Sequence, residues 1–324
     1  MKQEIPSHIS ELLDYARLAP SAHNAQPWKF IVDGNLVSIA VELDRVLGPG
    51  DPTGRETWLS FGICLEAALQ AAEGLGLNAE LVSTQTSSLQ GTIAVLKITT
   101  SNKPEQPAIL SALKKRHTYR EKMQPAEVPQ SLIAQCQQAV ADLEGVNVHF
   151  MQDEASIRRV GEYTFKAMSL ALSSPDFRKE LYHLVHYNWS PSRTGMHGYT
   201  LGEGMIGSIF GKLSIKMGIG LPLKARHDQQ RVNDASALVF IGTTGDVPSF
   251  WLQAGRAYLR VALKIADSGL AQCTLAAPVE AASFHEDIEK MLGTSDRLQS
   301  MLRIGKPAHF VRSSPRLEVE ELTT

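Results

Sequence analysis

Two long apolar helical patterns, Trp58 to Leu77 and Trp251 to Leu270, superimpose without gaps at an offset of 193 residues. The superposition pairs Trp58 with Trp251, Leu59 with Leu252, Gly62 with Gly255, Gly76 with Gly269 and Leu77 with Leu270. The first pattern is too rich in Ala and Leu to lie on a surface and stops at Gly74-Leu75-Gly76-Leu77, which predicts a central buried helix. Nearer the front, Ile5-Pro6 and Ala16 match Val128-Pro129 and Ala139 at an offset of 123. The two offsets together imply about seventy extra residues in the second copy, between Ala139 and Trp251. A duplicated unit accounts for this spacing; two unrelated buried helices are the plainer alternative.

The chain has 324 residues, enough for about two compact units. The expected class is α+β: two halves in tandem, residues 1–103 and 107–324, each a mostly antiparallel sheet flanked by helices, related by a pseudo-two-fold axis. The extra residues are expected as a lid-like insert at about 177–227, a stretch rich in Gly, His and aromatic residues. In the first half, Ile9, Leu12, Leu13 and Ala16 fall at helical spacing behind Pro6 and Ser7, and the pattern stops at Pro20. Trp28 to Val32 and Leu36 to Val41 read as a hairpin turning at Asp33-Gly34-Asn35.

Composition excludes several classes of function. With 43% hydrophobic and 20% charged residues and a net charge of −2, the chain is an ordinary globular one, without the broad basic surface that nucleic acid requires. Its cysteines, Cys64, Cys136 and Cys273, are odd in number and far apart, which argues against disulfides or structural zinc and fits a reducing cytoplasm. The polar start predicts neither a leader nor a membrane anchor, and no apolar run reaches the length of a membrane span. No metal is expected, because His183 and His186 lack a third ligand. Gly202-Glu203-Gly204 and Gly207 lack the strand and helix of a phosphate loop, and no Gly-x-Ser-x-Gly elbow is present.

Two clusters are candidates for chemistry. In Ala19-Pro20-Ser21-Ala22-His23-Asn24-Ala25-Gln26-Pro27-Trp28 a helix stops and hydroxyl and amide groups crowd one turn before an aromatic opens a strand. Such a turn suits a polar ligand, and equally suits Ser21 and Asn24 capping their own backbone. In Arg116-His117-Thr118-Tyr119-Arg120 two guanidinium groups and a hydroxyl share one short stretch, the donor set that grips phosphate. A solvated basic face with Lys114 and Lys115 is the alternative.

Both clusters resemble elements of the nitroreductase family of FMN enzymes, an Arg-x-Ser/Thr-x-Arg element followed after one helix by Ala-Pro-Ser-x-x-Asn-x-Gln-Pro-Trp. Ala19 to Trp28 matches the second nearly in full. Arg116 to Arg120 matches the first, with Thr118 where serine is commoner, and leads into Val128-Pro129 and a helix at the family's spacing. Gly269-Leu270-Ala271-Gln272-Cys273 resembles the segment leading to the backbone amides beside flavin N5, which the resemblance carries to Ala276 and Ala277. The family's acidic-glycine pair is absent there. Arg312-Ser313-Ser314-Pro315-Arg316 resembles the basic tail that returns to the phosphate, with Arg316 the best match; a solvated tail is the alternative. The tandem arrangement, the insert and Arg55-Glu56-Thr57-Trp58 look most like the Acg-type subgroup.

The resemblance implies a flavoprotein. Family members are homodimers whose sites combine the arginine element of one subunit with the Pro-Ser-x-x-Asn turn of the other. This chain carries one of each: nothing like the arginine element precedes its first helix, and Asp142-Leu143-Glu144-Gly145 stands where the second turn would be. The implied protein is a monomer that mimics the dimer and binds one FMN, with further association left open. Arg116 and Thr118 would hold the phosphate and ribityl end, Arg120 the pyrimidine edge, with Ser21, Asn24 and Gln26 coming from the opposite half. The implied activity is hydride transfer through flavin N5, with NAD(P)H or another donor, to a small electrophilic acceptor such as a nitroaromatic or quinone. No side-chain acid or base is assigned. Because the insert is expected to cover the flavin, a flavin-storage protein without nicotinamide-dependent turnover remains the alternative.

Overall fold

The computed structural model describes residues 5–323. It opens with helix α1 (Ser7–Ala16), whose Ile9, Leu12, Leu13 and Ala16 are buried on one face. Strands β1 (Trp28–Asp33) and β2 (Leu36–Val41) follow, paired antiparallel from Trp28 with Val41 to Asp33 with Leu36. Their turn is the two residues Gly34-Asn35, one shorter than expected, with Gly34 at φ 56°, a conformation glycine adopts without strain. Helix α2 (Arg55–Gly74) is buried on nearly every face, as its Ala- and Leu-rich sequence requires. Strands β3 (Asn78–Thr84) and β4 (Thr92–Thr99) complete an antiparallel sheet in the order β1-β2-β4-β3.

Helix α3 (Pro107–Lys115) and the short strand β5 (Met123–Gln124) lead to α4 (Gln130–Gln138) and β6 (Val146–Met151). The chain then leaves the second sheet for residues 152–236. This excursion holds α5 (Glu154–Ser173), α6 (Pro175–Leu184), a two-residue parallel pair β7 (Val185–His186) and β8 (Met196–His197), α7 (Met205–Met217) and α8 (Leu221–Asn233). Strand β9 (Ala237–Thr243), helix α9 (Pro248–Asp267), β10 (Ala271–Thr274), helices α10 (Ala277–Glu280) and α11 (Phe284–Leu292), and β11 (Arg297–Pro307) follow, before a tail that ends in α12 (Val319–Leu322).

The second sheet has the order β6-β9-β11-β10, antiparallel throughout, with β5 on the far part of β11. Element for element this is the order of the first sheet, with β6 in the place of β1, β9 of β2, β10 of β3 and β11 of β4. Where the first sheet turns in two residues, the second makes its four-helix excursion. The excursion begins earlier and ends later than the insert expected at 177–227, because α5 buries Ile157, Val160 and Tyr163 against Leu238 and Phe240 of β9. A helix with that apolar face does not stand out by composition. The outer face of α7 is unlike the rest, with Met205, Ile206, Phe210 and Met217 each more than half exposed.

Helices α2 and α9 pack against each other at the centre of the molecule, in one core that joins both sheets. They touch backbone to backbone at Gly62 and Gly255: a Cβ at Gly62 would lie 2.0 Å from the Leu252 carbonyl oxygen, and one at Gly255 would lie 2.1 Å from that of Leu59. Glu66 of α2, fully buried, is held from α9 by Arg256 Nε at 2.9 Å and Arg260 Nε at 2.7 Å. The tail after β11 crosses back to the first sheet, where Thr323 bridges Phe30 of β1 and Arg17 pairs with Glu318 at 3.0 Å.

Candidate functional site

The turn after α1 is strained. Residues 22–24 form one 3-10 turn, and His23, Asn24 and Gln26 all sit at positive φ, 51°, 58° and 53°. Non-glycine residues held there cost about 1–3 kcal/mol each and persist only where the surroundings over-determine them. Here Ser21 Oγ accepts from the Gln26 N–H at 2.9 Å and Ser60 Oγ of α2 accepts from the Ala22 N–H at 3.2 Å. The buried amides do the rest: Asn24 Nδ2 donates to the carbonyls of Gly195 at 3.0 Å and Pro315 at 3.1 Å, and Gln26 Nε2 donates to Arg193 at 2.8 Å. Gln26 Oε1 accepts the Leu317 N–H at 2.9 Å. These two side chains therefore fasten the excursion and the C-terminal tail onto the first half.

The arginine segment is laid along β10. Thr118 bridges Gln272, and the Tyr119 N–H donates to the Gln272 carbonyl at 2.8 Å. Arg116, at the end of α3, is 6% exposed, and its Nη1 is buried without a hydrogen-bond partner. Arg316 reaches in from the tail, donating to Asn24 Oδ1 at 2.6 Å and to the Ala19 carbonyl at 3.2 Å, neutral acceptors only. Burial, reinforced by the positive charges of Arg116, Arg120 and Arg17, pushes the Arg316 pKa down to about 9. Burial also lowers that of Arg116, with Arg120 adding to the effect. Three guanidinium groups from two distant parts of the chain, the 116–120 segment and the C-terminal tail, thus converge, and no carboxylate among the described residues pairs with Arg116, Arg120 or Arg316.

A cavity of about 690 Å³ lies beside this cluster, within the size range of ligand sites. Its walls come from the first turn, the start of α2, the arginine segment, β10 with the residues after it, and the excursion. Ser21, Thr118, Arg120, Ala276 and Ala277 line it. Asn24, Gln26, Arg116 and Arg316 stand outside its wall: the two amides are committed to the backbone contacts above, and the two arginines form the charged backing of the same corner. The excursion closes one side with Met168, Phe177, Leu181 and Leu201. Among the described residues no group of three His, Cys, Asp or Glu side chains could hold a metal ion, and no helix is long and apolar enough to cross a membrane.

Several lining residues carry no motif. Glu56 and Glu280, one from each half, both face the cavity and both accept from Arg55 Nη2, at 3.3 Å and 2.8 Å. Burial first, and then the neighbouring Glu280 charge, hold the Glu56 carboxyl well above the usual range. His23 lines the cavity with its Nδ1 enclosed and unpartnered, and burial lowers its pKa. Tyr258 of α9 donates or accepts at Thr274 Oγ1, 2.7 Å away, and burial raises its pKa. Arg303 of β11 and a polar stripe on α8 complete the wall. The α8 stripe follows helical spacing in the sequence, but nothing in the sequence says which way that face points.

Residues 1–51 match the family described as “Putative TM nitroreductase”. The chain is 26% identical to “Putative NAD(P)H nitroreductase Rv3131” of Mycobacterium tuberculosis over 311 residues, 92% of this chain and 84% of that protein. It is 23% identical to “Putative NAD(P)H nitroreductase acg” of the same organism over 328 residues, 97% of this chain and 94% of that one. By these likenesses the chain is nitroreductase-like. Along nearly its whole length it is similar to the Acg protein. The crystal structure of the FMN-dependent nitroreductase NfnB from Mycobacterium smegmatis in complex with NADPH aligns with a TM-score of 0.45 and 17% identity, covering 67% of this chain and 97% of that one.

Proposed function

We propose that this chain is an FMN-dependent oxidoreductase in which two halves, residues 1–103 and 107–324, form one composite site for one FMN. The convergence of Arg116, Arg120 and Arg316 carries the reading. Arg116 is buried, with Arg120 and Arg316 half-buried beside it; holding like charges together is costly, and an unpartnered buried guanidinium costs more than one that is paired. A dianionic phosphate supplies the acceptors that this corner lacks. The names of the curated relatives, NAD(P)H nitroreductases, agree with it.

When bound, FMN supplies hydride transfer through N5, the chemistry that the side chains cannot perform. Arg116 and Arg316, with Thr118, would hold the phosphate and ribityl end. Arg120 would place positive charge at the pyrimidine edge, where reduction develops negative charge. Ser21 would contribute from the first half, and the backbone at Ala276 and Ala277 would line the reactive edge. Asn24 and Gln26 are best read as positioning residues, since they hold the tail that delivers Arg316. The donor is NAD(P)H and the acceptor a small electrophile such as a nitroaromatic or quinone.

The helices of 152–236 form one wall of the cavity, which favours a second reading, a covered flavin that is stored and not turned over. Purified protein reconstituted with FMN and assayed for NAD(P)H oxidation with a nitroaromatic or quinone separates the two. Sustained turnover supports the reductase; a bound flavin reduced only by dithionite supports storage. Absence of a flavin band near about 450 nm after reconstitution would contradict both.

A further inference from the structure

Helix α8 presents Lys224, His227, Asp228 and Arg231 at positions i, i+3, i+4 and i+7, one face of a helix, and all four line the cavity. Facing them on the second sheet is Arg303, 1% exposed. Its Nη2 donates to the carbonyls of Tyr119 at 3.0 Å and Glu121 at 2.9 Å, while its Nε and Nη1 are buried and unpartnered. Arg231 Nε is likewise buried and unpartnered. Three donor nitrogens on two guanidinium groups are therefore enclosed around one corner of the cavity with no acceptor among the described residues.

The charges in this corner do not cancel. Lys224, Arg231 and Arg303 are set against Asp228, whose carboxyl is pushed up by burial and makes no hydrogen bond or ion pair among the described residues. Glu203, also on the wall, has its carboxyl pushed up by burial, and its Oε2 is unpartnered. Asp234 and Glu121 act on Arg231 only at longer range. Arg231 is lowered by burial and then by Arg303, whereas Arg316 is lowered by burial and then by Arg116, Arg120 and Arg17. The cations thus form two separate groups, one behind the corner assigned above to phosphate and one where α8 of the excursion faces Arg303 of β11.

We infer that Arg231 and Arg303, supported by Lys224, form a subsite for the carboxylate of an organic acceptor whose electrophilic part extends toward Ala276 and Ala277. A carboxylate offers an oxygen to each of the two guanidinium groups, and hydrogen bonds between charged partners are roughly twice as strong as neutral ones. The inference rests on the proposed oxidoreductase function and adds its substrate class, acidic rather than neutral electrophiles. It also gives the 152–236 excursion a role in recognition, since most of the subsite rides on α8.

Calorimetric titration of the full-length, FMN-loaded protein with 4-nitrobenzoate and with its neutral isostere 4-nitrobenzamide tests this directly. The benzoate is expected to bind at least roughly tenfold more tightly, from charge-assisted hydrogen bonds. Arg231→Gln and, independently, Lys224→Gln should weaken the benzoate and leave the amide and the flavin content unchanged. Equal binding of the two probes by the native protein would overturn the subsite, as would variants that weaken NADPH instead of the benzoate. Flavin content, read on the same samples, reports separately on the FMN reading: its loss in the native protein sinks that reading, whatever the benzoate preference.

Discussion

Gly62 of α2 and Gly255 of α9 lie across the molecular centre from each other, each pressed onto the carbonyl of the residue three before the other, Leu252 and Leu59. The reciprocity is what a two-fold axis between the helices produces. Alanine normally favours a helix over glycine by about 1 kcal/mol. Here Gly62→Ala must push the helices apart, so the sign should reverse, with a loss of about 1–3 kcal/mol. A denaturant midpoint shifted down with an unchanged slope checks it; a more stable Gly62→Ala protein would show that the close approach is wrong.

The repeat was legible because this contact leaves a sequence trace. Only glycine fits at either crossing point, so the pair survives at matching positions in the offset of 193. Sheet order was not legible, since nothing in a strand names its neighbour. The full extent of the excursion was not legible, because α5 buries Ile157 and Val160 as any core helix does. In the site, the turn at 19–28 and the arginine segment were visible as local clusters. Glu56, Glu280 and Arg303 were not, because each reaches the cavity only through packing that joins distant parts of the chain.

Glu66 is a charge sealed in the seam, satisfied by Arg256 and Arg260. Removing one member of a buried ion cluster typically costs about 3–5 kcal/mol. Glu66→Ala is expected at the lower end of that range, since Arg260 keeps its contact with Asp142. Thermal unfolding of the variant measures it, and a loss comparable with an exposed ion pair would argue that water enters the seam.

Gln26 ties the C-terminal tail to the first half through the Leu317 N–H and the excursion through the Arg193 carbonyl. Gln26→Ala leaves those backbone groups without their partner, at a cost of about 1–3 kcal/mol. The freed tail should become sensitive to limited proteolysis around 308–316, and flavin affinity should fall along with it. Unchanged protection of the tail would mean that Arg316 alone holds it.

Glu56 keeps its proton in the folded protein above the range in which it ionises when unfolded, because burial and Glu280 oppose its charge. A raised carboxyl pKa adds stability below the unfolded value, and that stability is lost as pH rises through the folded value. Glu56→Gln fixes the neutral form. Relative to the native protein it should gain stability progressively as pH is raised from about 4.5, and unfolding midpoints across pH 4 to about 9 give the comparison. A difference that is flat with pH would show that folding does not shift the Glu56 ionisation.

The central claim is that one chain builds one composite flavin site from two unlike halves. Absorbance together with intact mass under native conditions, on protein reconstituted with FMN, counts the flavins. The account predicts one FMN per chain and its loss in Arg116→Gln, since the buried Arg116 Nη1 has no partner among the described residues. Two FMN per chain, or full retention by Arg116→Gln, would contradict it.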